Sequence, residues 1–224
     1  MKKKVIVISA HPDDEMLGCG GTLLKHVANG DQVDWLITTS IFTSQGFSKE
    51  RVLFREEEVK QVKNKLGFNK VYKLGYPTMC LTDDSLLKMI PEISKIFNES
   101  KPEIIYVLNR SDAHSDHNIT FRAVMACTKS FRYPFIKRVL MYECISETEF
   151  GPTLPENVFI PTYYVDISLY RDRKNEIMSI YESEIGDHPF PRSYRNMDAL
   201  STFRGATIGV EYAEAFQVLR WIDK

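Results

Sequence analysis

An α/β fold, one mostly parallel sheet with helices on both faces, is what the sequence predicts, and three observations predict it. The run KVIVIS at 4–9 is near-continuously apolar and β-branched, as a strand buried on both faces should be. Strand-like and helix-like stretches then alternate along the chain instead of segregating into blocks. Glycines stand where helical periodicity stops, at Gly30 and Gly67.

Taken in order, TLLKHVAN at 22–29 has helical spacing and VDWLITT at 33–39 returns to strand character, closing a βαβ unit. A helix with charged faces follows at 49–66, a strand at 70–74, a helix at 84–98 and a strand at 104–108. Beyond these come a helix at 117–130, strands at 137–144 and 162–166, and a helix at 168–181. Pro152, Pro155 and Pro161 mark 150–162 as loop or edge structure. Residues 185–205, polar and aromatic, are expected to form a surface loop that shapes a pocket, with a last helix at 211–222. No repeat and no low-complexity linker interrupts the pattern, so the 224 residues are expected to form a single domain, 1–224.

Composition narrows the partners. Lysine and arginine number 29 against 30 acidic residues, for a net charge of −1, so no field points to nucleic acid or an anionic membrane. The apolar stretch Val5 to Ala10 is too short for a secretory leader, and no segment approaches the roughly 18 apolar residues that would span a bilayer. A soluble, cytoplasmic protein with a small-molecule partner is expected. Self-association is compatible with the aromatic-rich loops. Cys19, Cys80, Cys127 and Cys144 are widely spaced, without a CxxC pair, and read as reduced and mostly buried thiols.

Two short segments carry chemistry. AHPDDE at 10–15 places His11, Asp13 and Asp14 just beyond the first strand, at the carboxyl edge where open α/β sheets bind ligands. Three consecutive acids there repel one another unless a cation or hydrogen bonds compensate. A solvated, helix-capping turn would use the same residues. HSDH at 114–117 follows the strand ending near Leu108, so His114, Asp116 and His117 reach the same edge. Three of the five histidines fall in these two segments. Two imidazoles with one carboxylate suit zinc with positions left open, and suit ferrous iron as well. A helix start with surface histidines is the plainer alternative for the second segment. His26, without an acidic companion in its helix, reads as structural. Gly18, Gly20 and Gly21 in MLGCGGT lack both the GxGxxG spacing and the Walker lysine, which makes close backbone packing a better explanation than a phosphate loop or a nucleotide site.

AHPDDE after the first strand, with an HxDH motif about a hundred residues later, resembles the PIG-L/LmbE-like de-N-acetylase family. FREEEVKQVKNKLG at 54–67 and FRGATIGVEYAEAF at 203–216 resemble two further family segments, so the likeness spans nearly the whole chain. It implies a Rossmann-like fold and metal-dependent removal of an acyl group, usually acetyl, from an amino sugar such as N-acetylglucosamine or its conjugate. By motif position His11, Asp14 and His117 would hold the metal, and Asp13 would be the general base toward a water activated by it. His114 would stabilise the oxyanion or protonate the departing amine, with Asp116 orienting or charging that histidine. Arg55 matches a family arginine near the substrate, with a surface salt bridge to neighbouring glutamates as the equal alternative. The chain departs from the common second motif in having Ser115 where proline is usual, and Asp112 stands two residues before His114, where it could border the acetyl pocket. His188, Arg192 and Arg204 are candidate substrate contacts, with His188 placed beside Arg55 in that role. Alternatives that keep the same metal site are an amidase acting on a thiol- or antibiotic-linked sugar intermediate, and a non-catalytic metal- or sugar-binding protein.

Overall fold

The computed structural model describes residues 2–223. Its elements are β1 (Lys4–Ser9), α1 (Asp14–Ala28), β2 (Gln32–Ser40), α2 (Lys49–Leu66), β3 (Lys70–Pro77), α3 (Asp83–Ser100), β4 (Ile104–Leu108), α4 (Ser115–Ala126), β5 (Arg138–Tyr142), β6 (Tyr163–Asp166), α5 (Arg171–Met178), α6 (Tyr194–Ile208) and β7 (Ala213–Trp221). One seven-stranded sheet runs in the order β3-β2-β1-β4-β5-β7-β6. The five strands from β3 to β5 are parallel, and β7 pairs antiparallel with both β5 and β6.

Alternation within β1 divides the core in two. Val5 and Val7 face one layer together with Met16 and Leu23 of α1, Val62 of α2, Met178 of α5 and Met197 of α6. Ile6 and Ile8 face the other, against Met89 and Phe97 of α3 and Val124 of α4. Helices therefore cover both faces, as the buried parallel strands require. The strand order reverses between β1 and β4, and the crevice outside their carboxyl ends is the switch point of such a sheet. AHPDDE follows β1 and HSDH follows β4, so topology alone brings the two segments together.

The strands up to β5 and helices α2, α3 and α4 lie close to where periodicity places them, but the carboxyl third differs. The expected last helix at 211–222 is β7. Tyr212, Phe216 and Leu219 mimic helical spacing, and Glu214, buried at the second position of the strand, breaks the alternation that would have marked it. Its carboxylate is satisfied by Lys174 Nζ at 2.7 Å and by the backbone N–H groups of Gly21 and Thr22. The expected loop at 185–205 instead enters α6, capped where Ser193 Oγ accepts from Asn196 N–H at 3.2 Å and closed at Gly209, whose φ is 74°. The first helix begins at Asp14, eight residues before the stretch that looks helical, because its glycines are inside it. A Cβ on Gly18 would stand 2.2 Å from the Tyr142 ring and one on Gly21 2.8 Å from Ile167. The glycines let α1 settle onto β5 and its neighbours, which sets where Asp13 and Asp14 emerge.

Candidate metal and active site

Asp14 is anchored by the backbone that leads into α1. Its Oδ2 accepts from the backbone N–H groups of Ala10 at 2.9 Å and His11 at 2.8 Å, which turns Oδ1 toward His117 Nε2, 3.3 Å away. Burial alone would raise its pKa, but the imidazoles of His117 and His11 outweigh that and hold the carboxylate below its usual range. His117 opens α4 and is fully buried. Its Nδ1 bonds to Asp112 Oδ2 at 2.8 Å, and Asp112 is fixed in turn by Asn109 Nδ2 and Thr148 Oγ1. Nε2 of His117, although near Asp14, is not aligned for a hydrogen bond and is a buried nitrogen without a partner. Burial would lower the pKa of His117, but the carboxylates of Asp14 and Asp112 raise it well above the ordinary histidine value.

His11 has a parallel arrangement. Its Nε2 meets Asp116 Oδ2 at 3.1 Å, leaving Nδ1 on the Asp14 side, 3.8 Å from Asp14 Oδ2. Donor atoms of His11, Asp14 and His117 lie within 4.8 Å of one another, and so do those of His11, His114 and Asp116. The first group fits a divalent ion better. Asp116 already accepts from the backbone N–H groups of Met79 and Leu81, whereas His117 Nε2 has nothing to bond. The 3.3 Å between His117 Nε2 and Asp14 Oδ1 also matches the edge, about 3.3 Å, of a tetrahedron with bonds near 2.0 Å. Two imidazoles and a carboxylate are donors that zinc accepts, as do other borderline divalent ions. A carboxylate behind each histidine, Asp116 for His11 and Asp112 for His117, is the support such ligands require.

These contacts reassign two residues. Asp116, expected to orient His114, places its carboxylate on His11 and stands 3.9 Å from His114 Nδ1. Its backbone N–H, at the first turn of α4, donates to His114 Nδ1 at 3.1 Å. That bond makes Nδ1 an acceptor, which assigns the proton of the neutral ring to Nε2. Burial and the neighbouring His11 pull the His114 pKa down to about 4, so the ring is neutral at physiological pH. Asp112, expected at the border of the acetyl pocket, instead holds His117. Its place in the loop after β4, five residues before a buried helix-start histidine, was the available signal.

Asp13, buried like Asp14, differs from it in backbone conformation and in the direction of its pKa shift. It stands just before α1 with φ 133° and ψ −33°, a backbone conformation that side-chain-bearing residues rarely adopt. Burial, then the charges of Asp14 and Glu184, push its pKa well above the usual carboxylate range. Next to it Glu15 is fully buried and pushed up to about 8 by burial; the Tyr181 hydroxyl donates to its Oε1 at 2.8 Å. Glu15 and Tyr181 carry no motif signal of their own beyond the third acid of AHPDDE.

Asp13 and His114 open on a cleft of about 270 Å³ whose lining also includes Cys144 and Glu147, the apolar side chains of Leu17, Ile37, Ile41, Phe47 and Val59, and the arginines Arg51, Arg55 and Arg192. Arg55 is less available to a ligand than its position suggests. Nη1 donates to the Pro12 carbonyl oxygen at 3.0 Å, Nη2 to Glu184, and Nε lies 3.1 Å from Glu58. Arg192 reaches the cleft but is tied to Glu184 and Ser146. Arg204 pairs with both carboxylate oxygens of Glu143 outside the cleft. His188, expected beside the substrate, lies in the segment ahead of α6, is exposed and is not among the residues that line the cleft. Cys144 is a buried thiol 3.7 Å from Asp14 Oδ1; Cys19 and Cys127 are buried too, Cys80 is exposed, and all four are free.

Among the described residues no helix is long and apolar enough to cross a membrane. The chain is 24% identical over 226 residues to the diacetylchitobiose deacetylase of Thermococcus kodakarensis, covering 96% of this chain and 82% of that one. The solved N,N'-diacetylchitobiose deacetylase of Pyrococcus horikoshii superposes with a TM-score of 0.76 at 23% identity, over 97% of this chain and 84% of the other. The same fold also carries a different chemistry. GalB, the 4-carboxy-2-hydroxymuconate hydratase of Pseudomonas putida KT2440, superposes with a TM-score of 0.71 at 18% identity, over 100% and 98% of the two chains. The family model described as PIG-L, GlcNAc-PI de-N-acetylase, matches residues 6–128, more than half of the chain and both chemical segments, and the protein belongs to that family.

Proposed function

We propose that this protein is a zinc-dependent hydrolase that removes the N-acetyl group from an amino sugar of the N-acetylglucosamine type, or from its conjugate. The observation that carries the reading is the pairing, in one cleft, of a ligand set containing an unbonded buried nitrogen with two groups that ligation does not use, the Asp13 carboxylate and the His114 Nε2–H.

His11, Asp14 and His117 would hold the ion, supported by Asp116 and Asp112. A bound divalent ion supplies a Lewis acid that makes water nucleophilic near neutral pH and polarises a carbonyl. Asp13, raised above the usual carboxylate range yet accessible from the cleft, accepts the proton of the attacking water. His114, neutral and with its proton on Nε2, donates a hydrogen bond to the oxygen that gains charge as the amide carbon becomes tetrahedral. Its lowered pKa favours this role over that of an acid toward the departing amine, so Asp13 returns the proton to the nitrogen as the C–N bond breaks. The engaged arginines leave the sugar to be held by shape and by hydrogen bonds at the rim.

Acetate release from a panel of N-acetylglucosamine, diacetylchitobiose and N-acetylglucosaminyl conjugates, with graded zinc and a chelator control, tests the assignment; no release from any of them would overturn it. Asp13→Asn is expected to keep the metal and lose turnover by ~10²–10⁴-fold. An unchanged rate would remove Asp13 as the base. The apolar lining of Leu17, Ile37, Ile41, Phe47 and Val59 favours a second reading, an amidase acting on a sugar that carries a larger acyl or an antibiotic-like aglycone. Faster turnover of longer N-acyl glucosamines than of the acetyl compound would select it.

A further inference from the structure

The hydrolysis proposed above depends on where Asp13 points, and the peptide group joining Pro12 to Asp13 is gripped at both of its polar atoms. On one side Arg55 Nη1 donates to the Pro12 carbonyl oxygen at 3.0 Å; on the other the Asp13 N–H donates to Glu15 Oε2 at 3.1 Å. The gripping groups are themselves fixed. Glu15 is fully buried and its second oxygen accepts from the Tyr181 hydroxyl at 2.8 Å. Tyr181 is also fully buried, and the Arg55 guanidinium carbon lies 5.8 Å from the centre of its ring. Arg55 is held by Glu58 of its own helix and by Glu184, three residues beyond Tyr181.

We propose that Arg55, Glu15 and Tyr181 form a clamp that fixes the Pro12–Asp13 peptide so that the Asp13 carboxylate is aimed into the cleft. They are positioning residues of the deacetylation, not contacts to the sugar. The need for a clamp follows from the backbone. An aspartate at φ 133° is strained and persists only where its surroundings enforce that conformation. Released, the peptide would rotate toward an ordinary turn and carry the carboxylate off line. Asp14 would not follow, because its own carboxylate is tied to the N–H groups of Ala10 and His11. The clamp therefore acts on the base alone, while the ligand next to it has independent anchors. It also accounts for an arginine that lines the cleft with all three nitrogens committed to protein groups.

The inference rests on the deacetylase reading for its kinetic part and on geometry for its structural part, and two measurements on the full-length, metal-loaded protein separate them. In steady-state acetate release, Arg55→Met is expected to lower kcat by ~10–100-fold, the size of a misplaced catalytic group, with KM within about twofold and the metal content by elemental analysis unchanged. Arg55→Lys, which keeps one donor for the Pro12 carbonyl, should recover part of the loss. Tyr181→Phe, which leaves Glu15 in place without its second partner, should show a smaller fall in kcat with the same unchanged KM and metal. A crystal structure of Arg55→Met should show the Pro12–Asp13 peptide rotated and Asp14 unmoved. A raised KM at constant kcat would make Arg55 a substrate contact and overturn the clamp. Metal lost in proportion to activity, or a peptide unmoved in the crystal, would overturn it too. If the wild-type protein releases no acetate, the deacetylase reading fails by itself, and the crystal comparison still decides whether the clamp exists.

Discussion

His26 and His117 are both histidines paired with an aspartate five residues away in the chain, and what separates them is the second ring nitrogen. His26, on α1 at the amino edge of the sheet, bonds Asp31 Oδ2 through Nδ1 at 2.7 Å and the Tyr106 hydroxyl through Nε2 at 2.9 Å. His117, at the carboxyl edge, bonds Asp112 Oδ2 through Nδ1 at 2.8 Å and leaves Nε2 buried with no hydrogen bond. The carboxylate–imidazole pair is thus common to a closed structural network and to a ligand set. The open nitrogen marks the site, because a buried polar atom without a partner costs on the order of 1–3 kcal/mol unless something binds it.

The comparison is broken most severely at the open nitrogen. His117→Ala should abolish zinc retention after dialysis and reduce turnover to background, whereas His26→Ala should leave metal content at the wild-type level. Equal metal content in the two variants would show that the free nitrogen holds nothing. The next largest effect belongs to the supporting carboxylate. Asp112→Ala leaves every ligand in place but removes the acceptor on His117 Nδ1, and should weaken zinc affinity by ~10–100-fold in a competitive chelator titration. An unchanged affinity would mean that packing alone orients the ring.

The sequence reveals more of this site than of its surroundings. Residue type and a place beyond a parallel strand suffice to bring AHPDDE and HSDH together, because the carboxyl ends of β1 and β4 are adjacent at the switch point, whereas the choice of His11, Asp14 and His117 as ligands comes from the family resemblance. Local spacing does not show which oxygen or nitrogen faces what. Asp112 and Asp116 are each assigned to a particular histidine only by three-dimensional contacts, and of the two uses the sequence allows Arg55, a substrate contact or a salt bridge with neighbouring glutamates, the choice waits on its partners Pro12, Glu58 and Glu184. The same limit explains β7. Its buried Glu214 is tolerable only because Lys174, forty residues earlier, and the N–H groups of Gly21 and Thr22 just past the kink of α1 at Cys19 complete its bonds. His188 shows the reverse case, a residue type suggestive of chemistry on a segment whose path only tertiary packing decides.

The smallest effect sharpens the comparison from the closed side. Burial, followed by the charges of Lys3 and Arg138, lowers the His26 pKa below the ordinary histidine value despite the opposing pull of Asp31. The folded state therefore keeps the ring neutral where the unfolded chain, titrating near about 6.5, begins to take up a proton. Below that pH the unfolded state binds more protons at this position, so stability contributed by His26 is intact above pH ~6.5 and declines as the pH falls through it. His26→Gln removes the titration and at most two hydrogen bonds, each contributing about 1 kcal/mol. Its Tm should lie below that of the wild type at pH 7.5, and the gap should narrow at pH 5.5. A gap that widens on acidification would mean that the Asp31 pairing holds the ring charged in the folded protein, and that the network at the amino edge is an ion pair instead of a neutral relay.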